Sequence, residues 1–129
     1  MVVAAGACLG AAGSASGGAK PAQLRVVQIQ LPGSFYIEGS YSYIRIERPD
    51  GRKVLQRRLP ARRRPTLTVS LRAGSYRLVS WQRPCDGNCG YLDPPTDRCA
   101  RGFTLKRGQL LKATIRLKAG SGCRISFAS

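Results

Sequence analysis

The fold is decided by the segment TLTVSLRAGSYRLVSWQ, residues 66–82. In its first half Leu67, Val69 and Leu71 alternate with polar residues, which is the period-two pattern of a half-buried β-strand. An Ala-Gly pair then predicts a turn, after which apolar residues resume. These residues divide between the two faces of a second strand, Tyr76 and Leu78 on one face and Val79 and Trp81 on the other. The segment therefore predicts two strands joined by a turn.

Period-two patterns predict further strands on both sides of this pair. In the first of them Val27, Ile29 and Leu31 alternate with Gln28 and Gln30, which places the glutamines on the polar face. No window after residue 23 supports a helix. The further predicted strands are residues 24–31, 41–48, 53–59, 103–105, 111–118 and 123–127.

The strand at residues 53–59 differs from the others, because Arg57 and Arg58 are adjacent and leave no continuous apolar face. It follows Asp50-Gly51, a strong signal for a two-residue hairpin turn. Charged side chains protect the edge strand of a sheet from pairing with other molecules. We therefore expect this strand at a sheet edge.

Seven or eight short strands separated by turns indicate an all-β sandwich or barrel. Residues 71–78, LRAGSYRL, resemble the apolar-x-x-Gly-x-Tyr-x-apolar signature of prealbumin-like sandwiches, such as carboxypeptidase regulatory-like domains and the B-type repeats of collagen adhesins. Residues 103–117 look like the next hairpin of the same families. The resemblance implies a single antiparallel β-sandwich, prealbumin-like or Ig-like, over residues 24–129. Residues 76–127 also resemble secreted proteins and lipoproteins of actinobacteria, which implies export but no activity.

The first eight residues, MVVAAGAC, are apolar or small up to Cys8. They resemble the end of an export signal, and more closely the lipobox of bacterial lipoproteins, in which the cysteine after small residues is acylated. Cleavage by an ordinary signal peptidase before Cys8 is the alternative, and a disordered cytosolic tail is a third. We expect residues 1–8 to be the remnant of an export signal with Cys8 lipidated, and residues 9–23, rich in Gly, Ala and Ser, to be a flexible linker.

Four cysteines remain once Cys8 is set aside, and an even number in an exported chain predicts two disulfides. They are Cys85, Cys89, Cys99 and Cys123. If the strands alternate in direction, all four lie at one end of the sandwich, where they staple a loop. We expect the pairs Cys85–Cys123 and Cys89–Cys99. A four-thiolate zinc site is the rival interpretation, but the spacings lack the short paired knuckles of such sites.

The loop that contains Cys85 and Cys89 also gathers oxygen ligands. These are Asp86, Asn88, Asp93 and Asp97. They are candidate calcium ligands, although their spacing fits no EF-hand and Asp-Gly-Asn is ordinary turn chemistry. No cofactor is expected.

The chain is strongly basic, with 22 Lys and Arg against 6 Asp and Glu. Seven of the cations fall within thirteen residues and are candidates for binding a polyanion. They are Arg52, Lys53, Arg57, Arg58, Arg62, Arg63 and Arg64. The aromatic residues just before them, Phe35, Tyr36, Tyr41 and Tyr43, could form a shelf for a sugar, but packing is the more common role of aromatic residues at a strand start.

Histidine is absent from the chain, which removes the side chain best suited to proton transfer near neutral pH. No nucleophile motif accompanies the serines and threonines. We therefore predict a non-enzymatic binding or structural module, exported to the outer face of the membrane, the cell envelope or the medium. Its expected partner is an anionic envelope polymer or another envelope protein, with membrane contact through Cys8 if that residue is acylated. An accessory domain of an extracellular enzyme system is the alternative, followed by a cytosolic nucleic-acid-binding protein. Neither nucleic acid nor a small-molecule substrate is expected as a ligand.

Overall fold

The computed structural model describes residues 21–32, 39–60, 62–85 and 89–129. Within these ranges the chain forms eight strands. Their bounds are β1 Ala22–Gln30, β2 Ser40–Glu47, β3 Lys53–Arg58, β4 Thr66–Leu71, β5 Gly74–Pro84, β6 Thr96–Leu105, β7 Leu110–Lys118 and β8 Gly122–Ala128. In the described ranges we find no helix with the length and apolarity needed to cross a bilayer. Cys8 and the predicted linker up to residue 20 lie outside the described residues.

The strands form two four-stranded sheets. Sheet A has the order β4-β1-β7-β8 and sheet B the order β3-β2-β5-β6. Neighbouring strands are antiparallel except β1 and β7, which pair in parallel. The two sheets pack face to face, so the predicted all-β sandwich is confirmed. β3 lies at the edge of sheet B, as its adjacent arginines predicted.

The core lies between the sheets and consists of alternate residues of each central strand. Leu24 and Val26 of β1 and Ile44 and Ile46 of β2 belong to this core, and all four are fully buried. The period-two patterns produce this arrangement because every second side chain of a strand points to the same face. Burial of such side chains contributes about 1.5–3 kcal/mol each and is the main stabilising term of the sandwich.

The Gly-x-Tyr element of the resemblance has a physical explanation. The Tyr76 hydroxyl donates a hydrogen bond of 2.7 Å to the backbone oxygen of Arg72, which ties β5 to the turn that precedes it. The Tyr76 ring is buried and packs against Phe103, with ring centroids 5.6 Å apart. The tyrosine therefore fixes the corner between the two sheets at the β4–β5 connection.

Replacing Tyr76 by phenylalanine removes this hydrogen bond and keeps the ring. We expect the free energy of unfolding to fall by about 1 kcal/mol, the usual net value of such a bond. Denaturant unfolding of both proteins measures it. A loss above about 3 kcal/mol would contradict this account, because the ring packing is unchanged in the variant.

Two strands differ from their predicted form. β6 begins at Thr96 and not at Phe103, because residues 96–102 pair with β5 at the sheet edge, where polar side chains are tolerated and no apolar alternation is required. In β1 the inward face is the opposite of the predicted one near the end of the strand. Gln28 is buried between the sheets with 6% of its surface exposed, whereas Ile29 lies on the outer side. β1 also begins at Ala22, whose side chain is fully buried, two residues before the predicted domain boundary.

A polar cavity with a basic rim as the candidate binding site

The disulfides, the buried polar groups and several basic residues lie at one end of the sandwich. Strands β1, β3, β5 and β7 end there, and β2, β4, β6 and β8 begin there. All four described cysteines lie at this end, as expected, and we call it the cysteine end.

The cysteines form two disulfides, which confirms the predicted number of bridges. The pairs are Cys85–Cys89 and Cys99–Cys123. The expected pairs Cys85–Cys123 and Cys89–Cys99 are therefore wrong. The reason is that Cys99 lies on β6 and Cys123 on β8, with Cα atoms 5.5 Å apart, so that this bridge joins the edge strands of the two sheets. Cys85 then closes a short loop with Cys89, with Cα atoms 4.8 Å apart.

A cavity of about 140 Å³ opens between the sheets at the cysteine end. Its inner wall contains the amide side chains of Gln28 from β1 and Gln82 from β5, together with Ser42 from β2. Gln82 is fully buried, and Gln28 is more than nine-tenths buried. The apolar core is therefore capped at this end by neutral polar groups.

The hydrogen bonds of these three residues leave part of their capacity unused. The Ser42 hydroxyl lies 2.9 Å from Gln28 Oε1 and 2.5 Å from Gln82 Oε1. Within the described part of the chain, the amide Nε2 atoms of both glutamines are buried without a hydrogen-bond partner. A buried amide donor left unpaired costs about 1–3 kcal/mol, so two such donors beside the cavity are an unusual feature of this end of the core.

The mouth of the cavity is basic. Arg62 and Arg63, which are exposed in the connection between β3 and β4, line it together with Tyr41. The guanidinium of Arg58 lies 4.2 Å from the centroid of the Tyr41 ring, a cation–π contact. Among the residues that the structure describes, the lining includes no aspartate or glutamate. The cavity therefore combines neutral polar groups inside with positive charge at its opening.

The structure separates the seven basic residues that the sequence groups together. Arg62 and Arg63 line the cavity, Arg64 follows them, and Arg58 lies beside it on Tyr41. Arg57 pairs with Ile44 and so lies on the opposite face of β3 from Arg58. Arg52 and Lys53 are at the other end of β3, roughly 15–20 Å away at the usual rise of a strand.

The aromatic residues predicted as a shelf are only partly described, since Phe35 and Tyr36 lie outside the described residues. Tyr43 stacks on Trp81 on the outer face of sheet B, with centroids 5.7 Å apart and an angle of 7° between the rings. The guanidinium of Arg98 lies 6.0 Å from the Trp81 ring, and Trp81 is buried. Tyr43 therefore packs within the protein. Tyr41 shares this outer face by alternation along β2, and it also borders the cavity mouth.

A second basic surface escaped the sequence analysis. The outer face of sheet A contains Arg25 beside Lys112 and Arg116 beside Arg124, as the strand register sets them. Each of these four side chains is exposed. The cations are spread over three strands in the sequence, so only the pairing of β1, β7 and β8 brings them together.

The calcium prediction concerns residues that the structure describes only in part. Asp86 and Asn88 lie outside the described residues. Both carboxylate oxygens of Asp97 accept backbone hydrogen bonds, of 3.0 Å from Gly120 and 2.7 Å from Gly122. This carboxylate thus fixes the β7–β8 turn. Among the described residues no three acidic, cysteine or histidine side chains form a group that could hold a metal ion, and calcium binding stays a prediction.

Sequence reasoning missed the inner wall of the cavity, namely Gln28, Ser42 and Gln82. One signal was present: Gln82 follows the apolar residues Leu78, Val79 and Trp81 in β5, where a buried polar side chain is unusual. That signal alone does not show that Gln28 and Ser42 lie beside it.

Comparison with known proteins gives the fold and little more. No family model matches the chain, and no curated protein matches it. Among solved structures it is similar to a chain described as a "putative cell adhesion protein" from Bacteroides ovatus, with a TM-score of 0.54 and 11% sequence identity. The match covers 85% of this chain and 44% of that chain, so the present chain spans less than half the length of its structural neighbour. A likeness at this identity establishes an all-β architecture shared with a protein of that description.

Proposed function

We propose that the protein is a non-enzymatic binding module of the cell envelope that holds an anionic polymer at its cysteine end. The observation that carries the proposal is the pair Arg62 and Arg63 at the mouth of a polar cavity, where the described lining residues include no acid. The net charge of +16 supports it, because most cations of the chain have no carboxylate to pair with. Positive surfaces of this kind attract polyanions at long range.

The proposed location outside the cytoplasm is supported by the two disulfides, since such bonds persist in oxidising compartments and are rare in the cytosol. The structural neighbour described as an adhesion protein agrees with an envelope location. We further propose that Cys8 is lipidated and that residues 9–23 tether the sandwich to the membrane. Mass spectrometry of the protein from its native host tests this, because an unmodified chain that retains Met1 would contradict it.

Replacing Arg62, Arg63 and Arg64 by serine is the direct test of the binding surface. We expect weaker binding to an anionic polymer such as polygalacturonate, and a slope of log K against log salt that is less steep by about two to three, since each cation that contacts the polymer releases roughly one counterion. Titrations at several salt concentrations measure both effects.

The matched control replaces Arg72, Lys106 and Arg107 by serine. These cations are exposed in the turns at the opposite end, and their removal changes the net charge by the same amount. If both triple variants weaken binding equally, the polymer senses only net charge and the proposed surface is wrong. Capture of envelope components from the native host at low and high salt separates a polymer partner from a protein partner or an enzyme complex.

A further inference from the structure

We propose that the cavity at the cysteine end binds one carboxylate-bearing sugar ring of an acidic polysaccharide. In this arrangement the ring hydroxyls contact Gln28, Ser42 and Gln82, and the carboxylate contacts Arg62 and Arg63. The inference rests on the proposed function and names the ligand class and the residues that select it.

The first support is the state of the two glutamines. Both side chains are at least nine-tenths buried, both line the cavity, and both Nε2 groups lack a partner within the described residues. Each strand could carry leucine at these positions and extend the core. Buried polar groups without partners are rare in folded proteins and require an explanation such as a bound molecule.

The second support is the size of the cavity. Its 140 Å³ is roughly ten times the 10–15 Å³ that one water molecule requires. A single sugar ring with its substituents has about this size. An ion as small as one phosphate group would leave most of the inner wall without contact.

The third support is the hydrogen-bonding chemistry of Ser42. A hydroxyl has one hydrogen, so Ser42 can donate to only one of the two glutamine oxygens at a time. The other amide is free to turn and donate to the Ser42 oxygen through its NH₂ group, which then presents its carbonyl to the cavity. The inner wall can thus offer both donors and an acceptor, which is what sugar hydroxyls need.

The distribution of charge places the acid group of the ligand. Neutral amides line the inner wall, whereas both guanidinium groups are at the mouth. Arginine pairs with a carboxylate through two parallel hydrogen bonds, so the acid group of the ligand is bound most strongly at the opening. A neutral sugar would leave the arginines unused. A polyphosphate offers acceptor oxygens but no hydroxyl groups that could donate to the amide carbonyls.

The wild-type protein itself can report binding at this site. Side-chain amide signals of Gln28 and Gln82 in a ¹H–¹⁵N spectrum should shift and saturate on addition of trigalacturonate. The signal of Gln23, which is exposed at the other end of β1, should not move. Maltotriose and a short polyphosphate serve as the neutral and the phosphate probe, and we expect at least tenfold weaker responses from both.

Leucine variants provide the second readout. Gln28→Leu and Gln82→Leu should each weaken trigalacturonate binding at least tenfold without lowering the melting temperature, because each removes a buried unpaired donor and leaves Ser42 the other glutamine as its acceptor. Gln23→Leu should leave binding unchanged. If a leucine variant fails to fold, the spectrum of the wild-type protein still decides.

The outcomes separate the two proposals. Shifts confined to residues 62–64, or an equal response to polyphosphate, would overturn the sugar site and leave polyanion binding in place. An equal response to maltotriose would overturn the preference for a carboxylate that is assigned to Arg62 and Arg63. No response to any anionic probe, even at low salt, would overturn the proposed function as well. A cavity that holds only water predicts unmoved glutamine signals while the polymer still binds.

Discussion

Replacing both Cys99 and Cys123 by alanine is expected to lower the free energy of unfolding by about 3.5 kcal/mol, as the loop-entropy relation gives for two cysteines 24 residues apart. In a domain of this size the melting temperature should fall by roughly 10–20 °C. The bridge joins β6 of sheet B to β8 of sheet A, so it also restricts separation of the sheets. Thermal unfolding of the double variant, under non-reducing conditions, measures the loss.

The other bridge is the natural control. Cys85 and Cys89 are only 4 residues apart, so their removal should cost about 2 kcal/mol on the same relation. The order of the two effects is the informative result. A larger loss for the Cys85 and Cys89 double variant would contradict the view that the longer loop and the contact between sheets dominate.

Much of this fold could be predicted from alternation alone. The pattern of residues 66–82 predicts β4 and β5, and the adjacent Arg57 and Arg58 correctly indicate an edge strand. Alternation does not predict which polar side chains are buried near the end of a central strand. At Gln28 the side chain that looks solvent-exposed is buried, because β1 lies between β4 and β7 and its parity is set by Leu24 and Val26.

Less of the candidate site could be predicted from the sequence. The basic cluster was found because it is local in the chain, and Arg62 and Arg63 do line the cavity. Its inner wall was missed because Gln28, Ser42 and Gln82 come from three strands in two sheets. Their proximity follows from the order of strands and the packing of the sheets, and no spacing in one sequence encodes it.

For the cysteines, the location could be predicted from the sequence but the pairing could not. Their gathering at one end follows from strand direction, which the alternation of strands and turns predicts. Their pairing depends on which side chains face each other across the sheets. Cys99 pairs with the backbone of Ser80 in register, and Cys123 with that of Leu117, and both of these neighbours face inward. That detail requires the register of β6, a strand that sequence reasoning made too short.

The second large effect on stability is expected in the core between the two sheets. Replacing Leu78 by alanine should lower the free energy of unfolding by about 2–5 kcal/mol, because the removed methyl groups leave a cavity that rigid strands cannot close. Leu78 is fully buried at the middle of β5, between Ile46 of β2 and the edge strand β6. Urea unfolding with a shared m-value measures the difference.

Leu110→Ala is the matched control, since it removes the same atoms from a side chain that is 49% exposed at the start of β7. Its effect should stay within about 0.5 kcal/mol, as for most surface positions. A domain of this size has a total stability of about 5–15 kcal/mol, so the loss expected for Leu78→Ala is a large fraction of it. If the two leucine variants cost the same, Leu78 cannot lie between two packed sheets. In that case the cavity at the cysteine end would not exist as described, because Gln82 lies on the same strand as Leu78.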